Sequence, residues 1–142
     1  MQHNNQNTNA FLIHISAFAG YLFPLGSIIT PLILWQTLKE RSPFLDEHGK
    51  EAVNFNISYS LYIFILGLSF IPFFFGRIFN GFDGIDIDFG GYHGHGGLFG
   101  IFGFASVVSI VALIKVALII IAAMKANKGE MYKYPLTIKF IK

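Results

Sequence analysis

The feature that most restricts the fold of this chain is a set of three long apolar segments that carry almost no charge. They cover residues 10–38, 52–76 and 98–124, and Lys115 is the one Lys, Arg, Asp or Glu inside them. A membrane-spanning helix needs about 20 mostly apolar residues, whereas a helix of a soluble protein presents a polar face. The segments therefore predict an all-α membrane protein with three transmembrane helices.

The composition narrows the class of protein further. Hydrophobic residues make up 54% of the chain and charged residues 13%, whereas soluble domains carry about 25% charged residues. There is no cysteine, and the net charge of +2 gives no reason to expect nucleic-acid binding. The sequence contains no nucleophile–base pair, phosphate-binding loop or cofactor motif, so we predict no enzymatic activity and no cofactor.

The first apolar segment is longer than a membrane requires. As one helix, residues 10–38 would extend roughly 43 Å at about 1.5 Å per residue, against a hydrocarbon core of about 30 Å. A helix kinked at Pro24 and Pro31 would absorb the excess, and a hairpin of two half-helices is the alternative. Residues 1–9 are polar and predicted to be a disordered tail, and residues 10–142 form a single transmembrane domain.

The distribution of basic residues predicts the orientation in a bacterial cytoplasmic membrane. Eight of the ten basic residues flank the inner ends of the spans: Lys39, Arg41, Lys50, Lys125, Lys128, Lys133, Lys139 and Lys142. Basic residues stay in the cytoplasm. With three spans, this places the N-terminus and the glycine-rich loop 77–97 outside and the tail 125–142 in the cytoplasm.

Local signals mark where two of these elements begin and end. Ser42 followed by Pro43 is typical of a helix start, and Gly129 is typical of a helix stop. Beyond Gly129, apolar and polar residues alternate. This alternation predicts an extended tail on the cytoplasmic surface beside anionic headgroups, or, alternatively, a strand that pairs with a partner.

Two sequence blocks resemble a known family. They are Ser42–Phe55 (SPFLDEHGKEAVNF) and Ala122–Lys142 (AAMKANKGEMYKYPLTIKFIK), and His14–Gly20 (HISAFAG) also fits. The chain resembles a family of small bacterial membrane proteins that is distantly similar to the chloroplast inner-envelope import component, the Tic20-like group. The resemblance implies a multi-span membrane fold and does not supply an activity.

A polar stripe along the second apolar helix is the first candidate site. At 100° per residue, four polar side chains share one face of that helix: Glu47, Glu51, Asn54 and Ser58. Polar side chains inside a membrane face protein rather than lipid. The stripe is therefore either a cytoplasmic vestibule or subunit interface, or hydrogen-bonding contact between helices.

Two single residues are further candidates. Lys115 lies inside the third span, where a charge marks either a functional site or a lysine whose side chain reaches the headgroups. By depth along the helices, its expected neighbours are Ser58 and Asn54. His48 is a candidate pH-sensitive residue, and the alternative is a surface histidine beside an Asp46–Lys50 ion pair.

The loop after the second span holds weak candidates for metal ligands: Asp86, Asp88, His93 and His95. Carboxylate and imidazole groups suit divalent transition metals. Glycines surround these residues, and ordering such a loop costs conformational entropy. We therefore predict a solvated loop without a structural metal.

Two classes of function remain. The first is a non-enzymatic accessory or scaffold subunit, which packs in the lipid bilayer with membrane-protein partners or with itself. The second is a homo-oligomeric channel or transporter component that uses the polar stripe and Lys115.

Overall fold

The structure, a computed structural model, describes residues 2–83 and 96–142. Side chains are described from Asn5 onward, except 73–74 and 76–101. The elements are α1 (Gln2–Ile15), a 3-10 helix (Ser16–Tyr21), α2 (Gly26–Leu38), a second 3-10 helix (Lys39–Arg41), α3 (Pro43–Asp83) and α4 (Gly96–Asn127). The regular elements of the described residues are thus all helical, as predicted.

Two helices are long and apolar enough to cross a membrane. The candidate spans are Pro43–Pro72 in α3 and Phe102–Asn127 in α4, with mean hydropathies of 1.5 and 2.8. Only 17% of the most apolar window of each is buried inside the protein, whereas the core helix of a soluble protein is mostly buried. The unburied apolar faces indicate lipid contact.

The structure does not support the prediction that the first apolar segment is one kinked helix crossing the membrane. Residues 10–38 divide between α1, the 3-10 helix and α2, with a break at residues 22–25. The break falls at Pro24, which lacks an N–H and disfavours the helical conformation of the residue before it. Pro31 lies inside α2 without ending it. The hairpin alternative describes this segment, and it is not among the candidate spans.

Residues 2–9, for which the sequence predicts a disordered tail, belong to α1, which begins at Gln2. The Asn7 side-chain amide donates to the backbone carbonyl of Asn127 at 3.2 Å. Asn5 and Asn9 line the same surface pocket as Arg41. The polar first half of α1 therefore lies against the rest of the chain, while its apolar second half, from Ala10, packs in the core.

The ends of α3 and α4 confirm the local sequence signals. The Ser42 hydroxyl accepts from the Leu45 backbone N–H at 3.3 Å, so Ser42 caps α3. At the other end, Gly129 takes a φ of +78° directly after α4, and the N–H of Glu130 donates to the Lys125 carbonyl at 2.9 Å. This pattern is a glycine-terminated helix end.

The chain divides into two compact units, Met1–Ser60 with Ile114–Lys142, and Leu61–Leu113. The core of the first unit consists largely of alanines and β-branched residues from α1, α3 and α4, among them Ala10, Ile13, Ala52, Ile119, Ala122 and Ala126. Small residues allow membrane helices to approach closely. In the second unit, the rings of Phe70 and Phe104 lie 3.8 Å apart between centroids, and most other described apolar side chains are exposed.

Candidate functional site

The polar stripe on α3 is buried against the C-terminal tail of the same chain. Glu51, Asn54 and Ser58 are 7%, 2% and 1% exposed. Glu47, one turn earlier, is exposed, because the tail makes its first hydrogen bond to the stripe at Glu51. Three of the four predicted residues therefore share one site, which we call the tail-docking stripe (Glu51, Asn54 and Ser58).

The tail-docking stripe binds the backbone of the tail. The Asn54 side-chain oxygen accepts from the N–H groups of Phe140 and Ile141 at 3.1 and 2.9 Å. The Asn54 amide group donates to the Ile141 carbonyl at 2.9 Å. The Ser58 hydroxyl accepts from the Ile138 N–H at 2.9 Å. Buried polar backbone groups of a non-helical segment need hydrogen-bond partners, and these side chains provide them for the tail.

Glu51 makes the first of these contacts. Its carboxylate accepts from the Tyr134 backbone N–H at 3.3 Å. The Tyr134 ring stacks on Phe55 with centroids 4.0 Å apart and planes at 7°. Glu51 and Phe55 are four residues apart on one face of α3, so Tyr134 is fixed through both its backbone and its ring.

The phenol of Tyr134 continues into a buried hydrogen-bonded chain with two histidines. Its oxygen lies 2.9 Å from Nδ1 of His14, and Nε2 of His14 lies 2.8 Å from Nδ1 of His48. Both histidines are 0% exposed. The chain joins the tail, α1 and α3 at one point.

The protons of this chain can be placed in two directions. Burial above all, with the neighbouring charges of Tyr132 and Glu51, raises the pKa of the Tyr134 phenol well above its usual range, so the phenol keeps its proton. Either the phenol donates to Nδ1 of His14 and Nε2–H of His14 donates to His48, or each donor and acceptor role is reversed. Nε2 of His48 is buried without a hydrogen-bond partner of good geometry. Only one proton fits between Nε2 of His14 and Nδ1 of His48. The two histidines therefore cannot both be doubly protonated at the same time in this geometry.

His48 is thus an interior residue rather than a surface one. Phe44 packs on its ring at 4.4 Å between centroids. The Asp46–Lys50 ion pair expected nearby is present, at 2.6 Å.

Lys115 is 8% exposed, and its ammonium lies 4.3 Å from the centroid of the Tyr59 ring. This is a cation–π contact. The expected neighbours Ser58 and Asn54 are engaged by the tail instead.

A second contact anchors the hairpin to α3. Trp35 is 6% exposed, and its indole N–H donates to the Asp46 carboxylate at 2.8 Å. A Cβ built on Gly49 would overlap the Trp35 side chain, so only glycine fits here. Gly49 lowers the helix propensity of α3, but the missing side chain lets α2 pack closely against α3.

His14, Tyr134 and Trp35 belong to these buried contacts, although the sequence pattern does not mark them as site residues. His14 is the one ionisable group between Asn4 and Leu38 apart from Tyr21, and it follows an apolar run. This isolated position is the sequence signal that could have identified His14 as a site residue. Asp86, Asp88, His93 and His95 lie outside the described residues. Among the residues that are described, no three His, Asp or Glu side chains are grouped to hold a metal.

Two long helices with unburied apolar faces, together with an interior polar network, define an α-helical membrane protein. A family model matches residues 5–141, nearly the whole chain. The chain belongs to the MamF/MmsF family, described as the magnetosome magnetite crystal formation protein family. No curated protein and no solved structure matches the chain. The predicted membership of a small bacterial membrane-protein family is confirmed, while the more distant Tic20-like link is not shown by these comparisons.

Proposed function

We propose that this chain is a non-enzymatic membrane protein that acts in magnetite crystal formation as an accessory or scaffold subunit. Membership of the MamF/MmsF family supports a role in magnetite crystal formation. The unburied apolar faces of α3 and α4 support a place in the bilayer, among lipids, membrane partners or further copies of the chain. The basic residues Lys39, Arg41 and Lys50 around the start of α3, with those in the tail, favour a cytoplasmic position for the tail.

The observation that carries the scaffold role is the occupancy of the tail-docking stripe. A channel or transporter of the predicted kind would need Glu51, Asn54 and Ser58 to line a path for solute. Their polar atoms instead hold the backbone of the tail, and Lys115 is covered by Tyr59. This arrangement favours a structural role for the polar residues, and nothing comparable among the described residues favours transport.

The test is deletion of the gene in a cell that forms magnetite, with the number and size of crystals measured by electron microscopy. We expect altered crystals that the intact gene restores and a frameshifted copy does not. The tagged protein should stay in membranes after alkaline carbonate extraction. It should also co-purify with a membrane partner or as a defined oligomer. Unchanged crystals in the deletion strain would contradict the proposed role.

A further inference from the structure

The N-terminal segment has helical parts that are too short to cross a membrane. The 13 residues of α2 extend about 20 Å at about 1.5 Å per residue, against a hydrocarbon core of about 30 Å. The apolar part of α1 begins at Ala10, and the helix ends at Ile15. Each arm of this hairpin therefore reaches only partway through a bilayer.

Both ends of the segment lie at the same end of the first compact unit. The start of α1 is held at the C-terminal end of α4 by the Asn7–Asn127 hydrogen bond. Further along α1, His14 bonds to His48 near the start of α3. The segment ends where α2 passes directly into Lys39–Arg41, and Arg41 shares a pocket with Asn5. A segment that crossed the bilayer would separate Asn5 from Arg41 by the whole hydrocarbon core.

Close contacts hold the two arms of the hairpin together next to the turn. The Thr30 hydroxyl lies 2.7 Å from the Ser16 carbonyl across the hairpin and also contacts the Gly26 carbonyl of its own helix. A Cβ on Gly20 would lie 2.8 Å from the Ser27 Cβ, and a Cβ on Gly26 would overlap the backbone of Ala19. Glycine at both positions allows the arms to touch.

The tip of the hairpin is apolar and uncovered. Tyr21, Leu22, Phe23 and Leu25 are 66%, 85%, 41% and 64% exposed. No Lys, Arg, Asp or Glu occurs before Lys39. A contiguous exposed apolar patch of this kind marks a contact with a partner or with a membrane. Because α3 and α4, which both contribute to this unit, carry the candidate spans, lipid is the apolar medium around it.

We propose that residues 10–38 form a re-entrant hairpin whose tip, Tyr21–Leu25, inserts among lipid acyl chains. The hairpin enters the leaflet on the side where Lys39–Arg41 lies and returns to that side. The N-terminus therefore shares a side with the C-terminal end of α4, in contrast to the N-out orientation predicted for three spans. This inference does not depend on the proposed role in magnetite formation.

The absence of cysteine from the chain allows a direct test with single-cysteine variants of the full-length protein. Asn5→Cys and Lys128→Cys report the two ends, since both residues are exposed. Leu22→Cys reports the tip, and its exposure makes the substitution tolerable for folding. Each variant is reconstituted in liposomes and treated with a membrane-impermeant maleimide, added first outside and then after permeabilisation. The emission of Trp35, the single tryptophan, checks that each variant is folded.

We expect Asn5→Cys and Lys128→Cys to react from the same side, and Leu22→Cys to react from neither side. An environment-sensitive fluorophore attached at position 22 should be quenched by phospholipids with brominated acyl chains, while the same fluorophore at position 128 should not. Labelling of positions 5 and 128 from opposite sides would mean that the segment crosses, and would overturn the proposal. Aqueous labelling of position 22 would also overturn it. Protection of position 22 without quenching would show that protein rather than lipid covers the tip, with the same consequence.

Discussion

Gly49 offers the sharpest test of how the hairpin packs on α3. A methyl group at this position would overlap Trp35, with the indole side chain's own Cβ only 2.7 Å away. Real Cβ contacts are essentially never under 3.0 Å, so Gly49→Ala must displace the tryptophan. The displacement also breaks the hydrogen bond from Trp35 to Asp46.

The change in the free energy of unfolding combines two destabilising effects with one stabilising effect. Overpacking costs about 1–3 kcal/mol, and losing a hydrogen bond to a charged group costs about 1.5–3 kcal/mol. Alanine returns about 1 kcal/mol of helix propensity. The sum is a loss of about 1.5–5 kcal/mol, nearer the lower end because the Trp35–Asp46 bond is only partly buried.

The chain supplies a matched control in the same helix. A Cβ on Gly67 would meet nothing within 4 Å, so Gly67→Ala should stabilise the protein by up to about 1 kcal/mol. Thermal unfolding of both variants in detergent, followed by size exclusion, shows whether the two substitutions change the stability in opposite directions. The emission of Trp35 should move to longer wavelength in Gly49→Ala alone, because the indole is 6% exposed in the native fold. If Gly49→Ala kept both native stability and native emission, the packing of Trp35 on Gly49 would be refuted.

Three further outcomes are expected. Asn54→Leu removes three hydrogen bonds to the tail, worth about 1.5–4.5 kcal/mol together, so carboxypeptidase should trim the C-terminus faster. Asn56→Leu is the control, since its amide donates within its own helix, and equal trimming of the two would argue against tail docking. Tyr134→Phe should cost about 1–3 kcal/mol by leaving His14 without its phenol partner, and a double variant that also replaces this histidine by Phe should show coupling in thermal unfolding. Lys115→Leu removes a charge that costs on the order of 2.5–3.5 kcal/mol in a span and a cation–π contact worth about 2 kcal/mol, so thermal stability should stay the same or rise by about 1 kcal/mol; a large loss would show that the charge is structurally required.

Local signals in the sequence predicted the features that depend on neighbouring residues. The long apolar runs predicted α3 and α4, because a continuous apolar surface needs lipid around it. Ser42 and Gly129 predicted where these helices begin and end, since a cap or a left-handed turn is made within a few residues. The 100° periodicity of a helix is enough to place Glu51, Asn54 and Ser58 on one face, because it depends on sequence spacing alone.

The same sequence did not determine what those faces touch. A kinked helix and a hairpin have the same apolar run, and the contacts between Thr30 and Ser16 and between Asn7 and Asn127 decide between them. The stripe looked like a surface for another helix or for solute, yet its partner is the backbone of the C-terminal tail, with Ser58 bonding to Ile138 and Asn54 to Ile141. Periodicity says which side chains must find polar partners inside a membrane; which group satisfies them depends on long-range packing, and only the tertiary structure supplies that.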